Sequence, residues 1–312
     1  MYKLEDLKVT VLTTGASSLG LISYLAQINK LAGVLIFGQL DQEKAILAQQ
    51  LNQANIATQH CPTNDIDTPI TALATWNSQL GIVFCCREKI PMQIAHAPVH
   101  GLINLHGSAL PNYRGADPVY WQIRNGETQS ALTAHRLTEQ FDQGAIIAQE
   151  TISIGSYDTA NRLFSNLIQS IPALLETVFE QIKQFGQLQE SPQQGKCLLT
   201  AARLTEQDLV IDWHNTTAKQ LCDQVRAGNP QHGGARLSMG QSQAQLLQAT
   251  PSSLPTYGAP PGTIIHLSPE QGLIVALKEE SIRLDIIANN DGVLDGYRFA
   301  KACYLSSGIK FT

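Results

Sequence analysis

The feature that most constrains this chain is a repeated pairing of short, unbroken apolar runs with amphipathic stretches in its first third. Val9-Thr10-Val11-Leu12, Val34-Leu35-Ile36-Phe37, Gly81-Ile82-Val83-Phe84-Cys85 and Leu102-Ile103-Asn104-Leu105 each suit a strand buried on both faces. Helical patterns over about 17–30, 42–53 and 68–80 separate them. Strands joined by helices in this way predict an α/β fold with a parallel sheet covered on both sides. Thr13-Thr14-Gly15 follows the first strand in place of a Gly-x-Gly-x-x-Gly turn, which speaks against a nicotinamide site.

The pattern then changes. Ala131 to Ile154 alternates like strands around a loop, and a long helix is predicted over 159–183 with Asp158 as its N-cap. Ser191-Pro192-Gln193-Gln194-Gly195 has the composition of a linker. Beyond it, one short helix (217–226) stops at Gly228-Asn229-Pro230, and Gly- and Pro-punctuated strands follow over 244–247, 262–267, 272–276 and 282–286. These features predict a domain over 1–190, a linker over 191–203 and a small β-barrel domain over 204–312.

Charge narrows the partners. The chain has 312 residues, 15% of them charged, and a formal net charge of −5. From Leu204 onward, eight basic residues face ten acidic ones, so that domain is not a basic clamp for a polyanion such as tRNA. No apolar run approaches the roughly 20 residues of a membrane helix. Met1 to Lys8 alternates charge and lacks the apolar core of a signal peptide, so a cytoplasmic protein is expected. Cys61, Cys85, Cys86, Cys197, Cys222 and Cys303 show no ligand spacing, which predicts reduced thiols and no metal site.

The chemistry concentrates in Asn104-Leu105-His106-Gly107-Ser108-Ala109-Leu110-Pro111-Asn112-Tyr113-Arg114-Gly115. On an extended strand Asn104 and His106 point to the same face, where the strand gives out into a loop. Phe141-Asp142-Gln143-Gly144 adds a carboxylate in a turn. An amide, an imidazole and a carboxylate suit acyl transfer to an amine. The amide donates to a developing oxyanion, the imidazole handles the amine proton and the carboxylate orients the imidazole.

Asn104-x-His106-x-Ser108-x-Leu110-Pro111-x-x-Arg114-Gly115 with Asp142-x-Gly144 resembles the signature of the folate-dependent formyltransferases. Ile211-Asp212-Trp213, Val225–Pro230 and Pro261-Gly262-Thr263-Ile264 resemble the C-terminal domain of the family's methionyl-tRNA formyltransferases. The resemblance implies a Rossmann-like domain followed by an OB-like barrel, with 10-formyltetrahydrofolate as formyl donor. It implies Asn104, His106 and Asp142 as the catalytic trio, with a protonated His106 helping Asn104 hold the oxyanion. It places the pterin near Phe84, Cys86 and Arg87 and near Gln140. Ser108, Arg114 and Asp117 fall on the acceptor side, Asp117 either pairing with a cationic acceptor or capping the next helix. His135 and Arg136 read as edge-strand surface residues.

The acceptor reading rests on departures from the pattern. The methionyl-tRNA enzymes usually carry a Gly-Thr-Pro turn after the first strand and a basic loop after the second. This chain has Thr13-Thr14-Gly15-Ala16 and the short, acidic Gly38-Gln39-Leu40-Asp41-Gln42. Tyr113-Arg114-Gly115, Asn125-Gly126-Glu127-Thr128 and Gly144–Gln149 are similar to the aminoarabinose-modifying members. The expectation is formyl transfer to a small-molecule amine such as an amino sugar nucleotide. The alternatives are methionyl-tRNA formylation, hydrolysis of the formyl-folate, and a catalytically silent folate-binding protein.

Overall fold

The computed structural model describes residues 6–240 and 242–312. Lys3 and Glu5, half of the charge alternation read at the N-terminus, lie outside the described residues. In chain order the elements are β1 (Val9–Thr13), α1 (Leu19–Gln27), β2 (Leu31–Phe37), α2 (Gln42–Gln53), β3 (Thr58–Cys61), α3 (Asp67–Thr75), β4 (Leu80–Val83), α4 (Met92–Ala95) and β5 (Leu102–His106). Then come β6 (Arg114–Gly115), α5 (Pro118–Arg124), β7 (Gln129–Arg136), β8 (Ile146–Ser153), α6 (Ala160–Phe185) and β9 (Thr200–Ala201). The remainder holds α7 (Glu206–Leu209), α8 (Ala218–Gly228), β10 (Ala235–Met239), β11 (Ser242–Ser252), β12 (Ile264–Ser268), β13 (Gly272–Ala276), β14 (Ser281–Asn289), β15 (Gly292–Asp295) and α9 (Gly296–Ala302).

The chain forms two compact units that interleave in sequence. One comprises Met1–Ala116, Ser130–Ile152 and Asn166–Ala202, the other Asp117–Gln129, Ser153–Ser165 and Arg203–Thr312. The sequence reading placed only a single break, between 190 and 204.

The first unit is built on a seven-stranded sheet of order β3-β2-β1-β4-β5-β7-β8. β1, β2, β3, β4 and β5 are parallel, and every residue of β1 and β4 is buried, as continuous apolar strands require. β7 joins antiparallel to β5. The sheet is therefore mixed. β3 (Thr-Gln-His-Cys) escaped the sequence reading because it is an edge strand with only Cys61 fully buried, so it carries no apolar run. Asp41 caps α2 by accepting from the Lys44 N–H at 2.9 Å.

The second unit carries the antiparallel sheet β10-β11-β14-β13-β12, with β15 on β14. The last residues link its two ends. Ile264 N–H donates to Ile309 O and Phe311 N–H to Gly262 O on the β12 side, while Thr312 N–H donates to Ser238 O on β10. Phe311 is fully buried and stacks on Trp213, with ring centroids 5.8 Å apart. α8 opens on a capping box in which Thr217 and Gln220 satisfy each other's backbone. Asp158 does not cap α6 as predicted. Its carboxylate takes the Gly155 N–H at 2.8 Å, and Thr159 Oγ1 accepts from Arg162 N–H at 3.3 Å instead.

Gly144 is the tightest point of the turn between β7 and β8. A Cβ there would stand 1.8 Å from the Arg136 carbonyl oxygen, where the Arg136 N–H also meets Ala145 O at 2.8 Å. Gly144→Ala must displace backbone rather than a flexible side chain, and we expect a loss of about 1–3 kcal/mol in urea unfolding. A wild-type midpoint in that variant would contradict the close approach.

Candidate active site

Three segments of the first unit meet at the C-terminal end of β5. Asn104 and His106 lie two residues apart on β5, so the pleat turns both to one face. Antiparallel pairing sets His135 of β7 directly opposite Asn104, and Thr133 opposite His106. The turn after β7 returns Asp142 to the same spot with φ 55°, a left-handed conformation that aspartate tolerates better than most residues.

The contacts are close. Asn104 Nδ2 donates to Asp142 Oδ1 at 3.3 Å and lies 3.0 Å from His135 Nε2. His106 Nδ1 is 3.7 Å and His135 Nε2 3.5 Å from Asp142 Oδ1, while the Gly115 N–H donates to Asp142 Oδ2 at 2.9 Å. Gly115 must be glycine: its φ is +126°, and a Cβ would meet Ala201 O at 2.2 Å.

Proton positions follow from the partners. His106 Nε2 faces the Tyr113 carbonyl at 2.7 Å, and a carbonyl only accepts, so Nε2 carries the proton and Nδ1 is left facing Asp142 as a base. Burial pushes the His106 imidazole below the ordinary histidine range, outweighing the opposing pull of Asp142 and the Tyr113 carbonyl. That depression favours the uncharged ring in the free protein. Only 6% of the residue is exposed, and charging it there costs solvation. Burial of Asp142 favours its protonated form, but the His135 ring, His106 and the Gly115 N–H together win and hold the carboxyl below the usual range.

The other residues singled out in the sequence take varied places. Arg114 sits beside the trio, its guanidinium bonded to Gln193 Oε1. Ser108 is fully buried and donates to Asn112 O at 2.8 Å, while its own carbonyl takes the Thr133 hydroxyl at 2.6 Å. It braces the loop from the interior. Asp117 belongs to the second unit, and its Oδ2 accepts from Leu204 N–H at 2.7 Å without capping α5. The Phe84 side chain is core. The Cys86 thiol, pushed up to about 12 by burial, is bonded to Glu88 O at 3.7 Å. Arg87 is exposed, with its N–H on Thr14 Oγ1 at 3.2 Å, and exposed Gln140 accepts the Thr138 hydroxyl through its carbonyl. All six cysteines are free thiols.

His135 is what the sequence reading missed. It is 1% exposed on an interior strand, not a surface residue of an edge. The signal lay in the register: once β7 pairs with β5, the third residue of one strand faces the penultimate residue of the other. Its Nδ1 meets Arg136 O at 3.0 Å, and its Nε2 lies 3.0 Å from Asn104 Nδ2 and 3.5 Å from Asp142 Oδ1.

Among the described residues no helix is long and apolar enough to cross a membrane, and no group of three or more His, Cys, Asp or Glu could hold a metal ion.

Comparison with known proteins places the chain in a family. The formyl transferase family model matches residues 7–178, and the formyl transferase C-terminal domain matches residues 203–302. Methionyl-tRNA formyltransferase of Synechococcus sp. JA-2-3B'a(2-13) is 33% identical over 68% of this chain and 66% of its own length, so the chain spans just under two thirds of it. The methionyl-tRNA formyltransferase of strain JA-3-3Ab is 31% identical over 77% of this chain and 73% of its own length. The N-formyltransferase of Helicobacter canadensis, solved with folinic acid and dTDP-3-aminofucose, superposes with a TM-score of 0.65 at 17% identity, covering 88% of this chain and 98% of that one. HypX of Aquifex aeolicus, solved with tetrahydrofolic acid, gives 0.59 at 16% identity over 94% of this chain and 47% of its own. These structural likenesses are of fold. With the family models covering most of both units, and the amide, imidazole and carboxylate gathered at the end of β5, the chain belongs to the formyl transferase family.

Proposed function

We propose that this enzyme moves a formyl group from 10-formyltetrahydrofolate to a primary amine of a small metabolite, an amino sugar nucleotide being the acceptor class. The observation that carries the reading is the convergence of Asn104 and His106 on Asp142, at 3.3 and 3.7 Å. That set fits a formamide under attack by an amine: an N–H donor for its oxygen, an uncharged base and a carboxylate. The donor, when bound, supplies an activated formyl carbon. The Asn104 amide stabilises charge developing on the formyl oxygen. His106 Nδ1 takes the proton released from the amine, and Asp142 stabilises the resulting imidazolium across 3.7 Å. The proton then returns from His106 to the departing folate nitrogen as the old C–N bond breaks.

Charge supports the small acceptor. The chain carries −5 overall, and the loop after β2 is only Gly38, Gln39, Leu40 and Asp41, with the Asp41 carboxylate spent on α2. A second reading, methionyl-tRNA formylation, is favoured by the names of the relatives above 30% identity. Incubation with 10-formyltetrahydrofolate and dTDP-linked amino sugars, charged initiator tRNA or buffer alone separates the readings. Tetrahydrofolate release and an N-formyl product only with the amino sugar is the expected result. Turnover with tRNA alone would establish the second reading. Release in buffer alone would indicate a hydrolase, and donor binding without turnover a silent binding protein.

A further inference from the structure

The segment between α6 and β9, expected to be a connector, is fastened into the first unit. Ser191 and Ile146 exchange backbone hydrogen bonds at 2.8 and 2.9 Å. Two residues on, Gln193 reaches the candidate active site. Its Nε2 donates to the carbonyl oxygens of Asp142 and Gly144, each at 2.8 Å. Its Oε1 accepts from Arg114 Nε at 3.1 Å and Arg114 Nη2 at 2.5 Å.

We propose that Gln193 is a positioning residue: it sets the Asp142 turn against the Arg114 loop and so fixes the spacing of the carboxylate from His106 and Asn104. The inference rests on the reading of those three residues as the reacting groups.

The chemistry of the amide matches the task. A primary amide has two N–H donors and two acceptor lone pairs, and all four are used here. The two donors meet the two carbonyls of the turn, and the acceptor pairs meet the guanidinium fork. Glutamate would offer no donor to the carbonyls, and lysine no acceptor to Arg114. Asp142 needs such a brace because its φ of 55° takes it out of the strand ladder, leaving its carbonyl to be satisfied by a side chain. At its other end, the Asp142 carboxylate is held by the Gly115 N–H. Arg114 and Gly115 are adjacent, so the loop that grips the carboxylate is the one Gln193 ties to the Asp142 main chain. Among the described residues, the Arg114 guanidinium has no carboxylate within 4 Å, so it is the neutral amide that holds it.

The test uses the full chain and the variants Gln193→Ala, Gln193→Glu and, as a control at an exposed neighbour, Gln194→Ala. Turnover is followed with 10-formyltetrahydrofolate and a dTDP-linked amino sugar, and the His106 ring is titrated by NMR in the substrate-free protein. A misplacement near 1 Å costs up to about 100-fold, so both Gln193 variants should lose about 10–100-fold in kcat, with KM for the donor within about threefold. In Gln193→Ala the His106 midpoint should fall, because Asp142 no longer sits where it favours the imidazolium. Gln194→Ala should match wild type. The proposal is overturned if Gln193→Ala keeps the wild-type kcat and His106 midpoint, if Gln193→Glu retains full activity, or if activity falls only with global unfolding while the midpoint stays put. A wild-type protein inactive with every acceptor would instead defeat the reading of the site. The His106 midpoint would then still decide whether Gln193 places Asp142.

Discussion

Asn104→Ala lowers kcat for formyl transfer by about 10²–10³, the usual effect of removing one preorganised oxyanion donor. The loss should fall on kcat, with KM for the donor little changed, because the amide acts on charge that develops only during the reaction. In the resting structure Asn104 Nδ2 lies 3.0 Å from His135 Nε2 and 3.3 Å from Asp142 Oδ1, so one of these contacts yields its N–H to the formyl oxygen when charge develops there. Steady-state kinetics on the purified variant decide the matter. A loss confined to KM, or less than tenfold in kcat, would remove Asn104 from that role.

His106→Ala should cost about 10²–10⁴, the range for a positioned general base, and should also flatten the acid limb of the pH profile. The direction of that limb follows from the site. Burial holds the His106 imidazole below the ordinary value of about 6.5, and the neutral form is the one that accepts the amine proton. Activity should therefore hold down to pH 6.5 and fall only at more acid pH, as Nδ1 is protonated in advance. The same depression affects stability. Below about pH 6.5 the unfolded chain binds a proton that the folded site refuses, so folding stability declines as pH drops through that window. His106→Ala should remove this share of the decline. An acid limb at or above 6.5 in the wild-type protein would show that the ring rests charged, and the base role would fail.

How much of this was legible in advance varied by residue. Asn104 and His106 could be paired from spacing alone, because the strand period of two is local and binding. Their link to Asp142 came from a motif, since no periodicity relates a strand to a turn 36 residues past His106. His135 was visible as a residue but misjudged in setting, because its burial depends on β7 lying inside the sheet with β8 outside it. Ser108 looked like a hydroxyl for a substrate, yet its buried position spends it on Asn112 O. Gln193 carried no signal, since one glutamine in a polar stretch reads as linker whatever it touches.

By itself the sequence determined the alternating strands and helices, the residue types at the end of β5 and the acidic balance of the chain. Each of these is set by neighbours along the chain or by simple addition of charges. The tertiary structure decided the mixed direction of the sheet, the burial that holds the His106 imidazole below its ordinary range and the brace from Gln193 to Asp142. Those depend on contacts between residues far apart in sequence and on water excluded by their packing, and neither is encoded in any short stretch of the chain.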